Sequence, residues 1–377
     1  MASDPGMIVL LQPRSARAYG QDFLGDHLFA VDGFDTLFKE NGVYPIDAVE
    51  ADDIVVGQNS DDAEESRALN RLGRTNNTAV FVHCQWDYYD ERQKANIAQA
   101  METAAMGITP ARFSADMLRR MFPKVSRWKT LDGCIDTRLF HPSTRAEREA
   151  WRREQEVPDG SKLVLFTGRL EAAKGITILE QLCAAPDRAF TVMVQYPASE
   201  NVREKKVLFQ SYQDVCQRLS RHPDVVFFED LDQGGTARPV RFADLVISPS
   251  LSEVQPLVLL EALASGVPYI GTDSTPGYRE LKDRFSGSAV LASAIELVAL
   301  PPELRQGANL RSKDIGPDGA SEVARRLARA IARTAPPDDA ARAALSEAFL
   351  AHGFTVPFRL RKFREALEEL RPEPALL

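Results

Sequence analysis

The chain has 377 residues, 44% hydrophobic and 27% charged, more than one hydrophobic core usually serves, so two ordinary globular domains are expected and neither disorder nor a membrane span. Lys and Arg total 46 against 54 Asp and Glu, a formal charge of -8, which opposes tight nonspecific binding of long nucleic acids without excluding a local basic patch. The start Met1-Ala-Ser-Asp-Pro-Gly-Met7 shows no secretory signal, and Cys84, Cys134, Cys183 and Cys216 occur singly without C-x-x-C spacing, so zinc and a disulfide framework are not expected and a reducing cytoplasm is. Apolar runs follow at 7–11, 53–57, 78–83 and 105–109, then at 163–166, 190–194, 225–228, 243–247 and 268–271, alternating with helical stretches. That βα rhythm predicts parallel sheets covered on both faces. Between the two groups, residues 140–156 are charge-rich and end in the turn signal Val157-Pro-Asp-Gly160, which places a domain junction there.

The stretch 248–268 carries the strongest chemical signal. Glu253 and Glu261 stand eight positions apart, after a short apolar run that suits a buried parallel strand. Pro256 suits the first turn of a helix that ends near Gly266. In open α/β sheets, ligands sit outside the carboxyl ends of the strands, where the next helix directs backbone N–H groups at an anion. A nucleotide diphosphate fits such a place, with the carboxylates accepting hydrogen bonds from hydroxyls. The plain alternative is a helix with a solvated Glu261 and a Glu253 that caps it.

Val164-Leu-Phe-Thr-Gly-Arg-Leu-Glu-Ala-Ala-Lys-Gly175, followed at the expected distance by the two glutamates, resembles the second domain of the retaining GT-B glycosyltransferases of glycosyltransferase family 4. The resemblance implies an α/β GT-B fold of two Rossmann-like parallel-sheet domains facing a cleft: an acceptor domain over 1–145, a donor domain over 146–343, and a helical segment over 344–377 packing back on the first. It implies donor binding by Gly168, Arg169, Lys174, Glu253 and Glu261, with the backbone N–H groups of Val254, Gln255 and Leu257. Glu261 would hold the ribose hydroxyls and Glu253 the donor sugar. Arg169 and Lys174 would stabilise the charge that grows on the departing diphosphate; otherwise they are surface cations.

The chain departs from the family's pattern at Glu253-Val-Gln-Pro256, where relatives carry Glu-Gly-Phe-Gly, and Pro256 has no N–H to offer. It departs again at Val194-Gln-Tyr-Pro197, in place of a Gly-x-Gly strand end, and over 10–20, where the expected glycine-rich loop is absent. In the first domain, Val80-Phe-Val-His83-Cys-Gln-Trp-Asp87 resembles the strand end that brings a histidine to the reaction centre; His83 is the candidate, through its ring or its backbone carbonyl, and a structural histidine is the alternative. Leu131 to Pro142 resembles the segment that leads into the linker.

Residues 116–129 mix apolar residues with Arg119, Arg120, Lys124, Arg127 and Lys129, allowing at most peripheral membrane contact; core packing with solvated cations is the alternative. Asp230-Leu-Asp232 has the form of a metal-binding D-x-D but lies inside the second domain, so no metal and no cofactor are expected. The resulting expectation is a retaining hexosyl-type transferase with a nucleotide sugar and an acceptor hydroxyl on a glycan, a lipid-linked compound, a small molecule or a modified nucleobase. A catalytically silent nucleotide-sugar binder and a glycosyltransferase acting on hydroxylated bases in DNA are the rivals.

Overall fold

The computed structural model of the chain describes residues 7–12, 34–38, 43–58, 62–83, 86, 89–185, 188–198, 203, 206–230, 233–302 and 315–371. The chain divides into two compact units, residues 1–133 with 356–377, and residues 134–355.

In the first unit six parallel strands, β1 (Ile8–Gln12), β2 (Phe34–Phe38), β3 (Ile54–Gln58), β4 (Asn77–Phe81), β5 (Met106–Thr109) and β6 (Arg127–Thr130), lie in the order β2-β1-β3-β4-β5-β6. Helices α1 (Ala63–Leu72), α2 (Glu91–Met101) and α3 (Arg112–Met121) supply part of one apolar layer, in which Leu69, Ile97 and Leu118 are buried. Asp62 caps α1 by accepting from the N–H groups of Glu64 and Glu65, and Asp90 with Gln93 forms a capping box on α2. The other face packs Ile8, Val56, Phe81 and Ile108 against Leu360, Phe363 and Leu367 of the C-terminal helix Val356–Glu368.

The second unit holds β7 (Lys162–Thr167), β8 (Phe190–Pro197), β9 (Val225–Asp230), β10 (Leu245–Ser248), β11 (Tyr269–Thr272) and β12 (Ile295–Val298), all parallel, in the order β12-β11-β10-β7-β8-β9. The order reverses between β7 and β10, which pair directly. After β7 the chain turns to one face, where Leu170, Ile176 and Leu179 are buried; after β10 it turns to the other, with Leu259 and Leu260. A crevice outside the carboxyl ends of these two strands is the consequence, the usual ligand position in a doubly wound sheet.

Described helices of this unit are α4 (Arg145–Glu154), α5 (Ile176–Cys183), α6 (Lys206–Leu219), α7 (Gln233–Phe242), α8 (Leu257–Ala264), α9 (Pro276–Phe285), α10 (Ala289–Ala294), α11 (Pro317–Arg333) and α12 (Asp339–Leu350). Pro256 is the N-cap of α8 rather than part of its first turn, and Gly266 follows the helix at φ +68°. Leu345 and Phe349 place α12 in the core of the second unit, so the chain returns to the first unit at Val356, later than residue 344, with the C-terminal helix α13 (Val356–Glu368). Likewise the outward crossing falls at Gly133 and Cys134, ahead of the charge-rich segment that forms α4.

Candidate active site

β7 ends in a turn that needs two glycines. Gly168 has φ +146° and Gly175 has φ +75°, and a Cβ on Gly175 would stand 2.0 Å from the Pro249 carbonyl oxygen. Only glycine lets the turn after β7 touch the loop after β10 this closely. Leu251 N–H donates to the Ala173 carbonyl at 2.8 Å and ties the two loops together. Between the glycines, Arg169 pairs with Glu171 at 3.1 Å, and Lys174 closes a short 3-10 turn, Ala172–Lys174.

The loop after β10 brings a carboxylate to that lysine. Lys174 Nζ lies 2.5 Å from Glu253 Oε1, with side-chain exposures of 24% and 15%, low enough for the pair to feel each other strongly. Ser250 Oγ donates to the same Glu253 oxygen at 3.0 Å, and Thr275 Oγ1 donates to the Glu253 carbonyl at 2.5 Å. Behind Ser250 runs a buried line of hydroxyls: Ser248 Oγ at 3.0 Å, Tyr278 Oη 3.2 Å from Ser248, and Tyr269 Oη 3.2 Å from Tyr278. Because an ionised carboxylate only accepts, the hydrogens run in one order, from Tyr269 through Tyr278, Ser248 and Ser250 to Glu253. Burial raises the pKa of both tyrosines, so they remain donors. The chain of donors orients Glu253.

Val254 is buried, Gln255 half-buried and Leu257 36% exposed, and α8 starts at Leu257. The first N–H groups of the helix have no acceptor within it. Glu261 sits one turn further along α8, half-buried. The structure thus gathers Gly168, Arg169, Lys174, Glu253, Val254, Gln255 and Leu257 at the carboxyl ends of β7 and β10, with Glu261 on the adjoining helix. Glu171, Ser248, Ser250, Tyr269, Thr275 and Tyr278 are additions. Ser248-Pro-Ser250 beside Glu253 was a usable signal, whereas nothing in the local sequence marks the two tyrosines.

His83 belongs to the first unit. Its ring stacks on Phe81 with centroids 3.9 Å apart, and Nε2 is buried although the residue keeps some exposure. Burial, with the Arg359 guanidinium as a second cause, pushes its pKa down to about 3. A neutral ring at physiological pH leaves it no role as a general acid; a neutral contact or the backbone carbonyl is what it can offer. Since the unfolded histidine titrates near its ordinary value of about 6.5, the unfolded chain takes up a proton that the folded chain refuses as pH falls from 6.5 toward 3. His83 therefore contributes stability that is full above pH 6.5 and is lost below it, with a slope of up to about 1.4 kcal/mol per pH unit. His83→Gln is expected to flatten the dependence of the urea midpoint on pH between 6.5 and 4; identical slopes for the two proteins would refute the burial of a neutral ring.

The cationic stretch 116–129 forms α3 and β6. Arg119 pairs with Asp116 at 3.1 Å and Lys129 with Glu369 at 2.6 Å, so part of its charge is neutralised within the unit. Asp230 ends β9, while Asp232, Cys84 and residues 13–20 lie outside the described residues. A cavity of about 250 Å³ lined by Cys183, Arg188, His222 and Asp224 opens at the amino ends of β8 and β9, the opposite edge of the sheet from Lys174. No helix among the described residues is long and apolar enough to cross a membrane.

Residues 147–297 match the family model described as glycosyl transferases group 1. That stretch, which lies within the second unit, is similar to group 1 glycosyl transferases. The D-inositol 3-phosphate glycosyltransferase of Corynebacterium glutamicum is 31% identical over 141 residues, 36% of this chain and 32% of that protein. The lipopolysaccharide glucosyltransferase WaaG of Escherichia coli is 24% identical over 196 residues, 50% of this chain and 48% of it. The matched stretch thus spans between a third and a half of these relatives. Among solved structures, Anabaena HepE in complex with UDP superposes with a TM-score of 0.67 at 14% identity, covering 96% of this chain and 100% of that one. The sucrose-phosphate synthase of Thermosynechococcus elongatus does so with a TM-score of 0.68 at 15% identity, covering 97% and 99%. At such identities the likeness bears on fold alone, and the fold of the chain is GT-B, with Lys174 and Glu253 on two loops inside the stretch that matches the family model.

Proposed function

We propose that the chain is a retaining glycosyltransferase that moves a sugar from a nucleotide-diphosphate sugar to an acceptor hydroxyl, without metal or cofactor. The observation that carries this reading is the pairing of Lys174 with Glu253 at 2.5 Å where the strand order reverses, next to Arg169 paired with Glu171. Both cations already have carboxylate partners at a place in the sheet suited to an anion, and a diphosphate can take over from those carboxylates. Arg offers two parallel donors and Lys a point charge, a combination matched to phosphate oxygens. Solved structures of the same fold hold UDP and UDP-glucose, and the matched relatives are named as transferases to inositol phosphate and lipopolysaccharide, which supports a nucleotide-sugar donor and a hydroxyl acceptor.

In the proposed reaction the bond from the anomeric carbon to the diphosphate oxygen breaks, and the acceptor oxygen bonds to that carbon on the same face. The acceptor's proton passes to the departing phosphate, whose charge Arg169 and Lys174 stabilise more as it grows. Glu253, held by Ser250, would orient the sugar, Glu261 the ribose, and His83 would contribute as a neutral group. We place the reaction in the cytoplasm, with at most peripheral membrane contact.

The test is release of nucleoside diphosphate from UDP-, GDP-, ADP- and dTDP-sugars with each acceptor class supplied. Turnover of one donor is expected, and Glu261→Ala should raise its KM by roughly ten- to a hundredfold through loss of charge-assisted hydrogen bonds to the ribose. Binding without turnover would replace the enzyme by a silent nucleotide-sugar binder. Absence of both binding and turnover would overturn the reading.

A further inference from the structure

We propose that the side-chain amide of Gln195, with the Phe228 ring beside it, reads the nucleobase of the bound nucleotide, an inference that rests on the nucleotide-donor reading above. Gln195 is 1% exposed, and both its Nε2 and its Oε1 are buried with no hydrogen-bond partner among the described residues. A buried amide with neither atom satisfied destabilises a core that a leucine or methionine would fill at no such penalty. Its position accounts for its presence. Gln195 lies near the carboxyl end of β8, opposite Thr167 of β7, and its carbonyl accepts from the Gly168 N–H at 3.2 Å. One strand spacing, about 4.8 Å, therefore separates it from the start of the Gly168–Lys174 turn that faces the diphosphate. A Cβ added to Gly168 would meet nothing among the described residues within 4 Å, so there is open space beside the start of that turn.

The chemistry of the vacant amide narrows what it meets. Phosphate oxygens accept only and would satisfy Nε2 while leaving Oε1 unmet. A nucleobase edge presents a donor and an acceptor side by side in one plane and satisfies both, the pairing that makes glutamine a base-reading side chain elsewhere. Phe228 stands opposite Gln195 in the register of β8 and β9, on the same face; its ring packs in part on the core beside Trp151 and stays half-buried, so the part left uncovered is apolar surface that suits a base. The Val194-Gln-Tyr-Pro197 departure from a glycine-rich strand end thereby gains a use: it puts a reading group where glycine has none.

The experiment measures affinities of UDP, GDP, ADP, dTDP and inorganic pyrophosphate for the unaltered chain and for Gln195→Met, together with their melting temperatures without nucleotide. The variant is expected to melt at the same or a higher temperature, to lose roughly ten- to a hundredfold in affinity for the preferred nucleotide, and to bind pyrophosphate as before. Unchanged nucleotide affinity would overturn the contact, and so would a parallel loss for pyrophosphate, which would make Gln195 a support of the phosphate turn. Should the variant not fold, the unaltered chain decides: the preferred nucleotide methylated on its base-pairing edge is expected to bind more weakly by a similar factor, and equal binding overturns the proposal. If the unaltered chain binds no nucleotide, the donor reading falls and this contact with it; nucleotide binding that Gln195→Met leaves intact removes the contact alone.

Discussion

Lys174→Ala is expected to lower kcat/KM for the donor by about a hundred- to a thousandfold, the loss typical of removing one fixed group aimed at charge that develops in the transition state. Two effects combine. The cation that would face the departing diphosphate disappears, and Glu253, only 15% exposed, loses the partner 2.5 Å away that neutralises it, so its carboxylate then repels the anion it should sit beside. Lys174→Arg keeps the charge with a different shape and is expected to lie between the two. Steady-state kinetics with the preferred donor, beside thermal melts that show each variant folded, check this. A Lys174→Ala enzyme within threefold of the unaltered one would remove the lysine from the reaction.

For stability, the largest single effect is expected from Asp244→Ala. Asp244 is 5% exposed, accepts from the Leu163 N–H at 2.9 Å, and pairs with Arg152 at 2.7 Å and Arg342 at 3.8 Å. Arg342 is fully buried, and burial, reinforced by Arg148, pushes its pKa down to about 9, so it is still a cation at neutral pH. Its guanidinium donates to the Arg241 and Ala243 carbonyls, which fastens α12 onto the end of α7, just ahead of β10. Without Asp244 two largely buried guanidinium groups lose their common counter-ion, at a cost of about 3–5 kcal/mol. Asp339→Ala, whose side chain is 52% exposed in its pair with Arg148, should cost far less because water screens it. Urea denaturation of both variants makes the comparison, and equal losses would mean that the buried cluster is not coupled as described.

Much of the fold was legible because β-strands buried on both faces are apolar throughout. Nine of the runs read from sequence lie on strands, each within a few residues of its observed bounds. The strands that left little or no apolar run are β2, β6 and β12, all at sheet edges, where one side needs no partner strand. Arg127-Trp-Lys-Thr130 and Ile295-Glu-Leu-Val298 carry charges that an inner strand could not accommodate. The return of the chain to the first unit was read too early because α12 looks like any amphipathic helix until Arg342 and Phe349 are seen in the core of the second.

By itself the sequence determined the βα alternation, the two-unit organisation and the charged groups of the candidate site, because Arg169, Lys174, Glu253 and Glu261 follow strand ends at short, readable spacings. Only the tertiary structure decided how those groups are held: Lys174 meets Glu253 across 79 residues, Tyr278 reaches Ser248 across 30, and Gln195 comes beside Gly168 through strand register. Local spacing records which side chains a turn presents. Which buried polar atoms find partners depends on the pairing of strands far apart in the chain, and that is settled only when the sheet assembles.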